Sequence, residues 1–240
     1  MMNPTAKSEL TPSSKLRVGV NLGNFLLVNK DPASGALRGI VPDLAEELAR
    51  RLGVPVELIP YPGAGQVADA ALTGAWDVGF IGAEPQRAAE IAFTPAYLEI
   101  PATYLVPEGS LIRSLAEVDR PGVRIAVSAR SAYDLYLSRN LKHAELVRAE
   151  GLAASYDLFV SHKLEVLSGL LPRLTTEVAR LPGARILEGQ FTAVQQAIGT
   201  PKARTAAAAY LREFVADLKA SGLVAAAIAR HGIRGVSVAP

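Results

Sequence analysis

ALRGIVPDLAEELARRLGVPVELIPY, residues 36–61, holds a helix and a strand in immediate succession. Pro42 and Asp43 fall in the first turn, where a missing N–H and a negative charge are both favourable. Val41, Leu44, Leu48 and Leu52 recur at three- and four-residue steps and make one apolar stripe. Arg50 and Arg51 close the last turn, and Gly53 is a natural stop. VPVELIPY (54–61) then reads as a strand. The same alternation continues on both sides. LRVGV (16–20) is an upstream strand, followed by a loop with turn signals at Asp31-Pro32 and Ser34-Gly35. Residues 66–73 read as a short helix and WDVGFIG (76–82) as the next strand. Strands alternating with helices predict a mostly parallel sheet covered by helices.

IPATYLV (100–106) is extended, and Pro107, Gly109 and Ser110 mark a break. The alternation restarts with RIAV (124–127), a helix from Ser131 to about Leu141, and ELVRA (145–149). A helix near 152–162, a strand near 164–168 and RILEG (185–189) follow. The alanine-rich C-terminus reads as helical, with boundaries at Gly222 and Gly232. Two α/β units are therefore expected, with a seam near 106–110. The last helices fit either unit.

The 240 residues are half apolar and one-fifth charged, enough for a core and too little charge for a disordered chain. The absence of cysteine excludes disulfides, thiolate zinc sites and cysteine nucleophiles. Lys and Arg total 25 against 23 acids, with no basic run, so no nucleic-acid partner is expected. No apolar stretch approaches the ~20 residues of a membrane span. Residues 1–14 are polar and rich in Ser, Thr and Pro, and read as a flexible tail. They lack the hydrophobic region of a signal peptide, so either a signal has been removed or the protein stays in the cytosol.

Gly63-Ala64-Gly65-Gln66-Val67-Ala68 fits the G-x-G-x-x-A form of a dinucleotide loop, with Glu84 near the end of the following strand. The following helix is only about two turns, and Pro60 and Pro62 disturb the geometry. A plain chain reversal is the better reading, and no cofactor is expected. His143, His162 and His231 are far apart and show no metal-ligand spacing. Asp43, Glu46 and Glu47 read as a solvated helix face, and Asp134 and Arg139 as helix-surface charges.

Arg87 stands out, because WDVGFIGAEPQR (76–87) runs from a strand end into a short helix. An arginine there presents a bidentate fork to a carboxylate, and ligands of α/β folds bind beyond the carboxyl ends of strands. N–H groups around Gly82 and Ala83 are candidate additional donors. Ser131 opens a helix after the strand RIAVS, and its hydroxyl with free first-turn N–H groups favours an anion. Alone, each feature is a surface arginine or a helix cap. Together, at equivalent places in the two units, they would make a cleft site.

KLRVGV, GALRGIVPDLAEELARRLGVPVELIP, ALTGAWDVGF, RAAEIAFTPAY, SLAEVDRPGVRIAVSARSAYD and LREFVADLKASGLVAAAIARHG occur in this order. Over about residues 15–235 they resemble the type II periplasmic solute-binding proteins, in the amino-acid branch of ABC importers. RAAEIAFTPAY, similar to the family's R-x-x-x-x-x-F-S-x-P-Y, is the most specific piece. The resemblance implies two α/β lobes joined by two hinge crossings and closing over a ligand. Lobe 1 would be 15–106 plus 195–240, and lobe 2 would be 107–194. It implies no covalent chemistry. Arg87 resembles the family arginine that grips a ligand carboxylate. Ser131, with the Ala132 N–H, sits where the family's threonines bind the same group. Asn24 lies near the family's ligand-stacking aromatic, and Gly82 and Ala83 occupy the strand-end loop.

Three departures matter. The Asp77–Arg87 spacing is shorter than in the amino-acid binders. Glu165 takes the place of the V-D-A aspartate, but Gly169 stands where the α-ammonium's acidic partner belongs. Arg130-Ser131-Ala132 replaces G-T-T and adds a cation. A buried ammonium without a partner is costly, so an acidic or neutral carboxylate ligand is expected. The implied function is the binding component of an ABC importer, a periplasmic monomer working with permease subunits, with the cytoplasm as the alternative location. A cyclohexadienyl or arogenate dehydratase-like enzyme is the alternative function, with Glu84 or Glu165 as its general acid. An NAD-dependent enzyme would rest on the glycine loop alone.

Overall fold

The computed structural model describes residues 3–240. The chain forms two compact units, one of residues up to Glu99 with Gln195–Pro240, the other Ile100–Val194. Helix α1 (Pro4–Leu10) opens the first unit. This corrects the expected flexible tail, except that residues 1 and 2 lie outside the described residues. The Asn3 side chain accepts the Thr5 N–H at 2.9 Å, and Pro4 suits the first turn. Ala6 and Leu10, one turn apart in a polar stretch, are fully buried. Glu9 also accepts the Ala207 N–H at 2.7 Å.

Strand β1 (Leu16–Asn21) is followed by a small antiparallel hairpin, β2 (Asn29–Lys30) and β3 (Leu37–Arg38). Asp31 ties its turn by accepting the N–H groups of Ala33 and Ser34. Helix α2 (Ile40–Leu52) buries its apolar stripe and ends on Gly53, which adopts the left-handed conformation. Gly39 caps its start at φ +136°, and a Cβ there would meet the Leu27 carbonyl oxygen at 2.4 Å. Strand β4 (Val56–Tyr61), helix α3 (Ala64–Ala71) and strand β5 (Val78–Gly82) complete a parallel sheet ordered β4-β1-β5. Trp76 is wholly buried and donates to the Val67 carbonyl at 2.9 Å. Its indole lies against Gly19 of β1, where an added Cβ would come within 2.8 Å.

A short turn at Arg87–Ala89 and β6 (Ile91–Phe93) lead into β7 (Leu98–Val106). The passage between units falls inside β7, at Glu99/Ile100, rather than at the Pro/Gly punctuation near 107. Strand β8 (Arg124–Ser128), α4 (Ala132–Asn140), β9 (Glu145–Ala149), α5 (Gly151–Ser161), β10 (Val166–Leu170), α6 (Leu171–Val178) and β11 (Arg185–Ile186) build the second unit. Its parallel strands run β10-β8-β9, with β7 antiparallel to β10 and β11. Leu105, Ala126, Phe159, Leu164, Leu167 and Leu174 form its core.

Strand β12 (Thr192–Pro201) returns the chain and pairs antiparallel with β5 and β6. Helices α7 (Thr205–Ala220) and α8 (Leu223–Arg230) pack on α1 and α2, so the terminal helices belong to the first unit. Strand β13 (Ser237–Val238) pairs with the start of β7. Sequence pattern did not reveal α6 or β12, and it overextended β11 into a longer strand.

Candidate functional site

In the first unit, β1 and β5 are parallel neighbours, so their carboxyl ends open side by side. Beyond β1, the chain turns on Asn24, whose carbonyl accepts the N–H groups of Leu27 and Val28. Asn24 is buried, and its side-chain oxygen has no hydrogen-bond donor. Beyond β5, the Glu84 carbonyl accepts the N–H groups of Arg87 and Ala88, and this turn points Arg87 back at its own strand. Its guanidinium donates to the Gly82 carbonyl at 2.7 Å, and the residue is only 6% exposed. Asn24, Gly82, Ala83 and Arg87 thus lie at one edge of one parallel sheet. One expectation is corrected: the Ala83 N–H already donates to the Gln195 carbonyl at 2.8 Å, because β12 pairs along this edge. It is not a spare donor.

In the second unit, Ser131 caps α4, and its hydroxyl oxygen accepts the Asp134 N–H at 3.1 Å. The helix offers no acceptor for the N–H groups of Ala132 and Tyr133, its first two residues. Arg130 enters the cap at φ +59° and donates its N–H to Asp134 at 2.8 Å. Asp134 is therefore no surface charge. It is buried, and the Arg148 guanidinium and the Ser138 hydroxyl also bind its carboxylate. Sequence periodicity placed it on an exposed face because its partners lie on the preceding loop and on β9.

The two motif acids have matching roles that the sequence did not reveal. Asp77, just before β5, accepts the backbone N–H and the guanidinium of Arg17 on β1 at 2.8–3.0 Å. Arg204 binds the same carboxylate at 2.8 Å. Glu165, just before β10, clasps Arg124 on β8 in the same way, at 2.8–2.9 Å. Each acid locks the starts of two adjacent parallel strands, at the end away from the carboxyl edge. Hydrogen bonds and the charge of Arg124 hold the Glu165 carboxyl below its ordinary range. This contradicts a general-acid role for Glu165. Gly63 is the N-cap of a helix of eight residues.

Two α/β units linked by two strand crossings are the type II periplasmic-binding-protein fold. The chain belongs to the bacterial extracellular solute-binding proteins, family 3, whose profile matches residues 16–232. No curated protein matches it in sequence. Among solved structures, a mutant of ArgBP from T. maritima is 22% identical, with TM-score 0.77 over 95% of this chain and 99% of its own. An ancestral amino-acid-binding protein, described as a precursor of cyclohexadienyl dehydratase, is 22% identical, with TM-score 0.76 over 93% and 98%. A putative ABC-transporter binding component from Wolinella succinogenes, complexed with lysine, is 21% identical, with TM-score 0.76 over 91% and 95%. Among the described residues, no helix is long and apolar enough to cross a membrane.

Proposed function

We propose that this protein is the solute-binding component of an ABC-type importer and captures a small ligand by its carboxylate through closure of the two units. The observation that carries this reading is Arg87, a guanidinium buried at the carboxyl end of a parallel sheet and anchored by the Gly82 carbonyl. Such a planar cation is matched to a carboxylate. Ser131 and the Ala132 N–H are the second unit's donors to the same kind of group. Ala83 lines the strand-end floor, and the unpaired oxygen of Asn24 accepts a donor from the ligand. The permease subunits of the importer are the protein partners, and the site of action is outside the cytoplasm, in keeping with the family.

ArgBP has been seen with arginine, and the Wolinella protein with lysine. In this chain Gly169 leaves no carboxylate where an α-ammonium would bind, and Glu165 is committed to Arg124. The ligand is therefore an organic acid or a non-standard relative of an amino acid. The likeness to the dehydratase precursor supports an enzyme as a second reading, but Glu165 is held ionised and leaves it without that proton donor. The test is calorimetric titration with amino acids, dicarboxylates, aromatic acids and sugar acids. Arg87→Ala should weaken the carboxylate ligand by about 30-fold or more. Unchanged affinity would overturn the site, and turnover of prephenate or arogenate would overturn the binding-only reading.

A further inference from the structure

At each passage between the units, the last residue on the first unit's side is polar: Glu99 on β7 and Gln195 on β12. The Gln195 amide donates to one Glu99 carboxylate oxygen at 3.0 Å, and the Ser237 hydroxyl donates to the other at 3.4 Å. One half-buried carboxylate thus ties β7, β12 and β13 together, all within the first unit. The backbone holds this stretch less closely. The Tyr97 N–H donates to the Gln196 carbonyl at 2.9 Å, and the Phe191 N–H to the Ala102 carbonyl at 3.0 Å. Between them on β7 stands Pro101, which has no N–H to give, and it confines Ile100 to an extended backbone. Strand β13 is itself anchored. The Ala239 N–H donates to the Tyr97 carbonyl at 3.3 Å, and Lys219 of α7 donates to the Pro240 carbonyl at 2.5 Å. Gln195 also reaches the strand-end floor, since its own carbonyl accepts the Ala83 N–H at 2.8 Å. A continuous path of hydrogen bonds therefore runs from Ala83 through Gln195 to Glu99.

Resting on the closure function above, we propose that Glu99 and Gln195 form a hinge clasp that sets where the two passing strands begin to bend and holds the Ala83 floor in register with that point. Both are positioning residues, which act through the strands. Without the clasp the bend spreads back into residues 98–99 and 195–196. The free protein then samples more arrangements, and binding has more of them to remove.

The experiment measures distances between spin labels in the full chain. The sequence has no cysteine, so Thr73→Cys in the first unit and His162→Cys in the second, both exposed, supply two defined label sites. Without ligand, Glu99→Ala and Gln195→Leu should each widen the distance distribution. The double variant should widen it no further than either single one, because both remove the same bond. Glu99→Gln keeps a carbonyl acceptor for the Gln195 amide and should restore the narrow distribution. A merely structural role would lower the melting temperature and leave the width as in wild type. Succinate, glutamate, benzoate and gluconate are then added in turn. For an acid that shifts the wild-type distance, Glu99→Ala should bind about three- to tenfold more weakly. If an acid shifts the distance but Glu99→Ala keeps the wild-type width, this inference falls and closure stands. Equal widening by Glu99→Gln and Glu99→Ala also overturns it. If Glu99→Ala widens the distribution but no acid shifts the wild-type distance, the clasp stands and the carboxylate-capture reading fails.

Discussion

Replacing Asp77 by alanine tests whether burial, rather than ion-pair geometry, sets the strength of the clasp at the strand starts. Asp77 is fully buried and satisfies the Arg17 N–H, the Arg17 guanidinium and Arg204. Its removal leaves two guanidiniums with side chains only 23% and 21% exposed. Breaking a buried pair costs about 3–5 kcal/mol, and partial access of water to both arginines places this case near about 3 kcal/mol. Glu165 offers an internal comparison, since it holds the Arg124 N–H and guanidinium as Asp77 holds those of Arg17, but among the described residues it has no second arginine and its pair is 35% and 40% exposed. Glu165→Ala should cost only about 1 kcal/mol. In thermal melts of the ligand-free protein, Asp77→Ala should lower the transition of its unit by about 6–12 °C and Glu165→Ala by about 2–4 °C. High salt should shrink the smaller effect more than the larger one. Equal losses, or a greater loss for Glu165→Ala, would refute the argument from burial.

Other outcomes follow from local geometry. Gly39→Ala puts a side chain at φ +136° and 2.4 Å from the Leu27 carbonyl oxygen, and should cost about 1–3 kcal/mol. An unchanged urea midpoint would show that the hairpin yields to the new methyl. Glu47 is held down to about 2, against an ordinary 4.5, by hydrogen bonds from Arg50 and Arg51. Its folded-state pKa is depressed, so its contribution is complete above about 4.5 and fades as pH falls toward 2. Glu47→Gln should therefore be less stable than wild type in urea at neutral pH and converge with it near pH 2. A constant gap across that range would assign the loss to packing.

Nearest-neighbour pattern was enough to read the alternating strands and helices of both units. The stripe of α2 and the buried runs of β5 and β8 are properties of consecutive residues, so they survive without knowledge of distant partners. The same holds for the family blocks and for the place of Arg87, since strand, turn and arginine are continuous in the chain. Strand β12 was different. Gln195, Gln196 and Thr200 interrupt its apolar pattern, yet Gln196 and Thr200 are buried because β5 and β6 supply their neighbours and the Asp77 carbonyl accepts from Thr200 at 3.0 Å. Helix α1 was hidden because its two apolar residues gain meaning only against α7. In the candidate site, sequence placed Arg87, Ser131 and Ala132 at helix and strand ends. Only the fold showed that the Ala83 N–H is spent, that Glu165 clasps Arg124, and that the Asn24 side-chain oxygen is buried without a donor. A polar group's worth depends on what faces it, and those partners come from elements remote in the chain.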